Sequence, residues 1–114
     1  MTISTRLAAA ETLYQMVEHG RSLNDLIPAF IEKIDPDQHA FYQQLVYGST
    51  RYYFALDELA SGLLEKPLKE KERLVHMLLL VGLYQLWQLE VADHAALNET
   101  VQAAVDGKKQ WAKP

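Results

Sequence analysis

Apolar residues recur at three- and four-residue steps along almost the whole chain. Nowhere do Val, Ile and Thr alternate with polar residues over several positions. The first spacing is that of helices and the second would be that of strands, so the pattern predicts an all-helical chain. A first helix begins after Ser4, a good N-cap, and carries the stripe Leu7, Ala10, Leu13, Tyr14 and Val17. Gly20 reads as its stop. Ser22 caps a second helix, with Asp25 near its positive end and Leu23, Leu26, Ile27, Phe30, Ile31 and Ile34 as its apolar face. Pro28 inside that face removes an amide donor and shifts the start or kinks the helix. Asp35 is the expected cap of a third helix, with Pro36 at its first position. That helix runs through Ala40, Phe41, Leu45, Val46 and Tyr47 towards Arg51. Gly48 in its middle costs about 1 kcal/mol relative to alanine, and the close approach of another helix is the expected reason. From Tyr53 the pattern repeats with Phe54, Leu56, Leu59, Leu63 and Leu64, Gly62 near the end and Lys66-Pro67 as the break.

Residues 69–72 open a fifth helix, and the stretch 74–89 is apolar nearly all round. Such a helix is surrounded by others, so the core is expected here, with Leu78 and Leu83 buried and Gly82 at a close helix contact. Residues 90–93 form a turn capped by Asp93. A last stripe of Ala96, Leu97, Val101, Ala104 and Val105 ends at Gly107. Short helices with brief connections describe a compact all-α multi-helix bundle, one domain over residues 1–114. The run 74–89 falls short of the roughly 20 apolar residues a membrane helix needs, and it contains His76, Tyr84, Gln85 and Gln88. It reads as a core helix, and no membrane contact is expected. The first fifteen residues have no apolar signal-peptide region.

Composition mainly excludes. Hydrophobic residues make up 49% of the 114, enough for a core without staples. There is no cysteine, hence no disulfide, zinc-thiolate site or cysteine nucleophile within these residues. That suits a cytoplasmic protein. No glycine-rich loop follows a strand, and the four histidines lack metal-ligand spacing, so neither a nucleotide site, a metal site nor a catalytic residue is indicated. His76 reads as a satisfied histidine at a helix edge, and His94 as a residue that fixes the turn after Asp93.

The formal net charge is −4, whereas a domain that grips nucleic acid unaided is usually basic. RNA affinity would therefore come from a local patch or be weak and salt-sensitive. Lys66, Lys69, Lys71 and Arg73 are interleaved with Glu65, Glu70 and Glu72 and read as a solvated helix start. Lys108, Lys109 and Lys113 surround Trp111 with no acid after Asp106. This tail could touch RNA by phosphate pairing and stacking, or be the joint to a further segment, which is the preferred reading. Arg51 suits a helix C-terminus, whereas Arg6 at a helix start either pairs with an acid such as Glu99 or faces a partner. The cations without evident helical acid partners, Arg6, Arg51, Lys108 and Lys109, are the candidate RNA contacts.

Several blocks together resemble the NusB-type RNA-associated helical domain. They are Arg6-Leu7-Ala8, Gly20 with Ser22-Leu23, Leu45-Val46-Tyr47-Gly48 followed by Arg51, Leu56-Asp57, Lys66-Pro67-Leu68-Lys69, Gly82-Leu83-Tyr84-Gln85-Leu86 and the run from His94 to Val101. More narrowly they are similar to the N-terminal domain of bacterial ribosomal RNA cytosine-C5 methyltransferases. The free antitermination factors of the family carry a denser arginine cluster on the first helix, where this chain has Arg6 alone. The resemblance thus implies a non-catalytic, RNA-associated accessory domain of an S-adenosylmethionine-dependent 16S ribosomal RNA methyltransferase. A stand-alone antitermination regulator of transcription is the alternative. It further implies a bundle that lacks the family's last helix, a partner in its own C-terminal catalytic domain, ribosomal RNA as ligand, and a capacity to self-associate. The cofactor and the cysteine that attacks C6 of cytosine would then lie outside these residues.

Overall fold

The computed structural model describes residues 2–63, 69 and 72–88. Among them lie five α-helices and no strand: α1 (Thr5–His19), α2 (Leu23–Ile31), α3 (His39–Arg51), α4 (Tyr53–Leu63) and α5 (Arg73–Gln88). The all-α reading therefore holds. The expected last helix with Asp93 and Gly107, and the tail with Lys108, Lys109 and Trp111, lie outside the described residues.

The first helix keeps the limits its caps dictate. Ser4 Oγ accepts the Leu7 amide at 3.3 Å. Gly20 takes φ 64°, a left-handed conformation that suits glycine, and the amides of Gly20 and Arg21 return to the carbonyls of Met16 and Gln15. The buried surface of α1 is wider than the predicted stripe. Ala8, Ala9 and Ala10 are all fully buried beside Leu7 and Leu13, while Val17 is exposed. Consecutive buried alanines mean that α1 is covered on several sides, and their small side chains admit α3 and α5, the helices it packs on most extensively. Thr12, also buried, gives its proton to the Ala8 carbonyl at 2.8 Å and so accepts from the Tyr42 hydroxyl at 2.7 Å. One hydrogen-bond chain thereby ties α1 to α3.

Ser22 caps α2 by accepting the Asn24 amide at 3.1 Å, and Pro28 stays inside the helix on its exposed side. The helix ends at Ile31, with Ile34 buried in the turn beyond. The start of α3 differs from expectation. Asp35 makes no side-chain cap, Pro36–Gln38 forms a 3₁₀ turn, and the α-helix begins at His39. The proline fits a tighter turn equally well, and Gln38 Oε1 is drawn to Thr5 Oγ1 at 3.1 Å.

On α4 only Leu56 and Ala60 are buried, whereas Phe54, Leu59 and Leu63 are exposed. Residues 56, 59, 60 and 63 share one helical stripe and 54 lies off it, but only 56 and 60 reach the core. Helix α5 is the central element, with Leu74, Met77, Leu78, Leu80, Val81 and Tyr84 all buried. Leu78 is buried as expected, and Leu83 only partly. The α4–α5 contact carries the His76 pair: Nε2 lies 2.6 Å from Asp57 Oδ1. His76 is thus the satisfied histidine its position suggested. Among the described residues no helix is long and apolar enough to cross a membrane.

Candidate functional site

The two candidate arginines within the described residues contact α3 at opposite ends. Arg6, in the first turn of α1, holds its guanidinium 5.1 Å from the ring of Phe41. Arg51 is the last residue of α3, ten positions further on, or about 15 Å of helical rise.

Arg6 is engaged within the bundle. Its Nε donates to Gln85 Oε1 at 2.9 Å, and Gln85 Nε2 donates to the Val81 carbonyl at 3.2 Å. Gln85 is fully buried, and a buried amide without partners is costly, so the arginine satisfies it. The expected acid, Glu99, lies outside the described residues. Arg73 pairs with Glu18 of α1 at 3.5 Å. Lys69 is exposed, and its backbone amide donates to Glu72 Oε1 at 3.3 Å.

Arg51 is exposed and stands in a different setting. An open cleft of about 380 Å³ runs between the end of α3 and the end of α5. Gln44, Tyr47, Gly48 and Arg51 line one wall. Tyr84 and Gln88 line the other, and Tyr52, the residue between α3 and α4, lines it as well. Gly48 explains why the helices can meet here. A Cβ at this position would run into the ring of Tyr84, so that ring lies directly on the α3 backbone. The close approach expected at Gly48 is therefore present, and its partner is Tyr84.

The aromatic groups are linked. Tyr52 stacks with Tyr84 at 6.4 Å between centroids and 25° between planes. Trp87 meets Tyr52 edge-on at 5.2 Å, and the Arg51 guanidinium lies 5.4 Å from the same Tyr52 ring. Burial raises the Tyr84 hydroxyl above the ordinary phenol value; neighbouring Tyr52 adds to this, and Arg51 opposes it. The tyrosine is therefore neutral at physiological pH. Tyr47 is 54% exposed and Trp87 is 48% exposed. None of the described lining residues is acidic, in a chain whose net charge is −4. A cation, exposed aromatic faces and two primary amides thus converge, with no carboxylate among the described lining residues.

In the sequence Arg51 stood out as a cation, whereas Tyr47 read as a position along the third helix and Tyr84 as a polar interruption of the fifth. The cluster follows from Tyr47 and Arg51 being four apart on one helix face with Gly48 beside them. Which helix would fill the space over Gly48 is a tertiary fact that spacing does not contain. Lys108 and Lys109 fall outside the described residues.

Comparison with known proteins places this geometry in context. A model of the NusB family matches residues 3–113. The chain is 45% identical over 102 residues to ribosomal RNA small subunit methyltransferase B of Vibrio vulnificus, covering 90% of this chain and 24% of that protein. It is 44% identical over 106 residues to the protein of the same name from Vibrio cholerae, covering 93% and 24%. Over 111 residues it is 43% identical to that of Pseudomonas putida, covering 97% and 26%. The chain spans about a quarter of the length of these curated relatives.

Proposed function

The chain belongs to the NusB family, and from that premise we propose that it is the RNA-associated, non-catalytic domain of a ribosomal RNA small-subunit methyltransferase. The relatives named above support the parent activity. The observation that carries the RNA role is the cleft in which exposed Arg51 stands among Tyr47, Tyr52 and Tyr84, with no acid among its described lining residues. Cations paired with aromatic faces are how proteins hold RNA through phosphate contact and base stacking. Arg51 is the leading contact, and Lys108 and Lys109 are further ones. Arg6, bound to Gln85 and Phe41, holds α1 against α3 and α5.

The described residues do not fit S-adenosylmethionine. They hold helices only, with no strand leading into a glycine-rich turn, and the sequence has no cysteine to attack a pyrimidine. In this reading methyl transfer, its cofactor and a catalytic domain partner belong to the parent protein, which acts in the cytoplasm. Self-association of the bundle is a further part of the proposal.

The test is titration of small-subunit ribosomal RNA with the chain at low and physiological salt. Weak binding that falls as salt rises is expected, since the net charge of −4 allows only a local cationic contact. No binding even at about 50 mM salt would overturn the RNA role.

A further inference from the structure

We propose that the cleft between the ends of α3 and α5 is a subsite for one unpaired ribonucleotide, its base stacking on Tyr47 and its phosphate meeting Arg51. This rests on the RNA role proposed above and adds the form of RNA recognised.

The size and chemistry of the cleft lead there. About 380 Å³ lies near the low end of small-ligand clefts, roughly 300–1,000 Å³, which suits one nucleotide better than a helix. Tyr47 is more than half exposed and makes no ring contact among the described residues, whereas Tyr52 is already engaged by Tyr84, Trp87 and Arg51. Tyr47 is thus the wall with a free π-face. Arg51 is four residues further along the same helix, so a stacked base and its phosphate reach adjacent side chains. Gln44 and Gln88 flank the cleft, and each amide can both donate to and accept from a base edge. In duplex RNA those faces are occupied by neighbouring pairs, so the chemistry selects a single strand, bulge or loop. A protein segment could fill an aromatic cleft, but an exposed arginine with no acid among the described lining residues favours a phosphate-bearing ligand.

The experiment uses the full chain and a short single-stranded oligoribonucleotide carrying one 2-aminopurine, with the same oligonucleotide annealed to its complement as the control. Binding of the single strand should quench the 2-aminopurine, and the duplex should bind more weakly. Tyr47→Ala should lower affinity by roughly 5- to 150-fold and abolish the quench. Tyr47→Phe, which keeps the ring, should restore both. Arg51→Gln should reduce the salt slope by about 0.7. Tyr47 is exposed, and circular dichroism checks that each variant is folded. If the chain binds RNA but Tyr47→Ala binds and quenches like the unaltered chain, the subsite is wrong while the RNA role stands. Binding without any quench, or equal binding of the duplex, has the same meaning. If no form of RNA binds, both fall.

Discussion

Arg6 and Arg51 are the same side chain, one packed on the start of α3 and the other at its end, and the bundle treats them differently. Arg6 is half-buried, bonded to a buried glutamine and packed over Phe41. Arg51 is exposed at the edge of an aromatic cleft that has no acid among its described lining residues. The difference lies in what surrounds each position. A half-buried cation must be offset by partners inside the fold, so it becomes part of the fold. A cation exposed to water, with one ring beneath it and the exposed Tyr47 beside it, keeps its charge available for something outside. Charge in the sequence identifies candidates; burial sorts them.

The comparison can be broken first at its frame. Leu78 is almost fully buried on α5, the helix both arginine environments share. Leu78→Ala should cost about 2–5 kcal/mol in chemical denaturation. A loss below about 1 kcal/mol would mean that α5 is not the central element. Gly48→Ala attacks the cleft from beneath. The added methyl meets the Tyr84 ring, so a net loss of about 1–3 kcal/mol is expected despite the better helix propensity of alanine. A stabilised variant would show that the two helices do not meet there.

The arginines themselves come next. Arg6→Ala should destabilise by about 1–3 kcal/mol, because it leaves the buried Gln85 amide short of a partner. Arg51→Ala should stay within about 0.5 kcal/mol, as exposed substitutions do. Equal losses would erase the distinction. The smallest effect concerns Glu11, a charge on α1 that burial opposes. Burial raises its carboxyl above 4.5, and Lys33 only partly counters this. A carboxyl with a raised folded value helps the fold below its unfolded value and loses that help as pH rises through the folded one. Glu11→Gln should therefore raise the melting temperature slightly near pH 7. That gain should vanish as pH falls below about 4.5.

Much of the frame was legible because it depends on local chemistry. Ser4, Ser22 and Gly20 set the ends of α1 and α2 through their own oxygens or backbone freedom. The apolar run of α5 announced a surrounded helix, and Gly48 announced a close contact. What the spacing missed depends on distant neighbours. Phe54, Leu59 and Leu63 are apolar yet exposed; Phe54 lies off the face of Leu56 and Ala60, whereas Leu59 and Leu63 share its spacing and still are not covered by described residues. Asp35 yielded its expected cap to a 3₁₀ turn. At the candidate site Arg51 was visible as a cation, whereas the cleft beside it required knowing that Tyr84 lies over Gly48. The pairing of Arg6 with Gln85, 79 positions away, was equally hidden.

The most direct measurement of the central claim is a matched pair of salt titrations. Arg6→Gln and Arg51→Gln would each be titrated with small-subunit ribosomal RNA at several salt concentrations, beside the unaltered chain and with melting temperatures recorded. Arg51→Gln should weaken binding and lower the salt slope by about 0.7–0.9, with melting unchanged. Arg6→Gln should lower the melting temperature and leave the slope in place. The reverse pattern, a slope that falls with Arg6 and is indifferent to Arg51, would contradict that division between the two arginines.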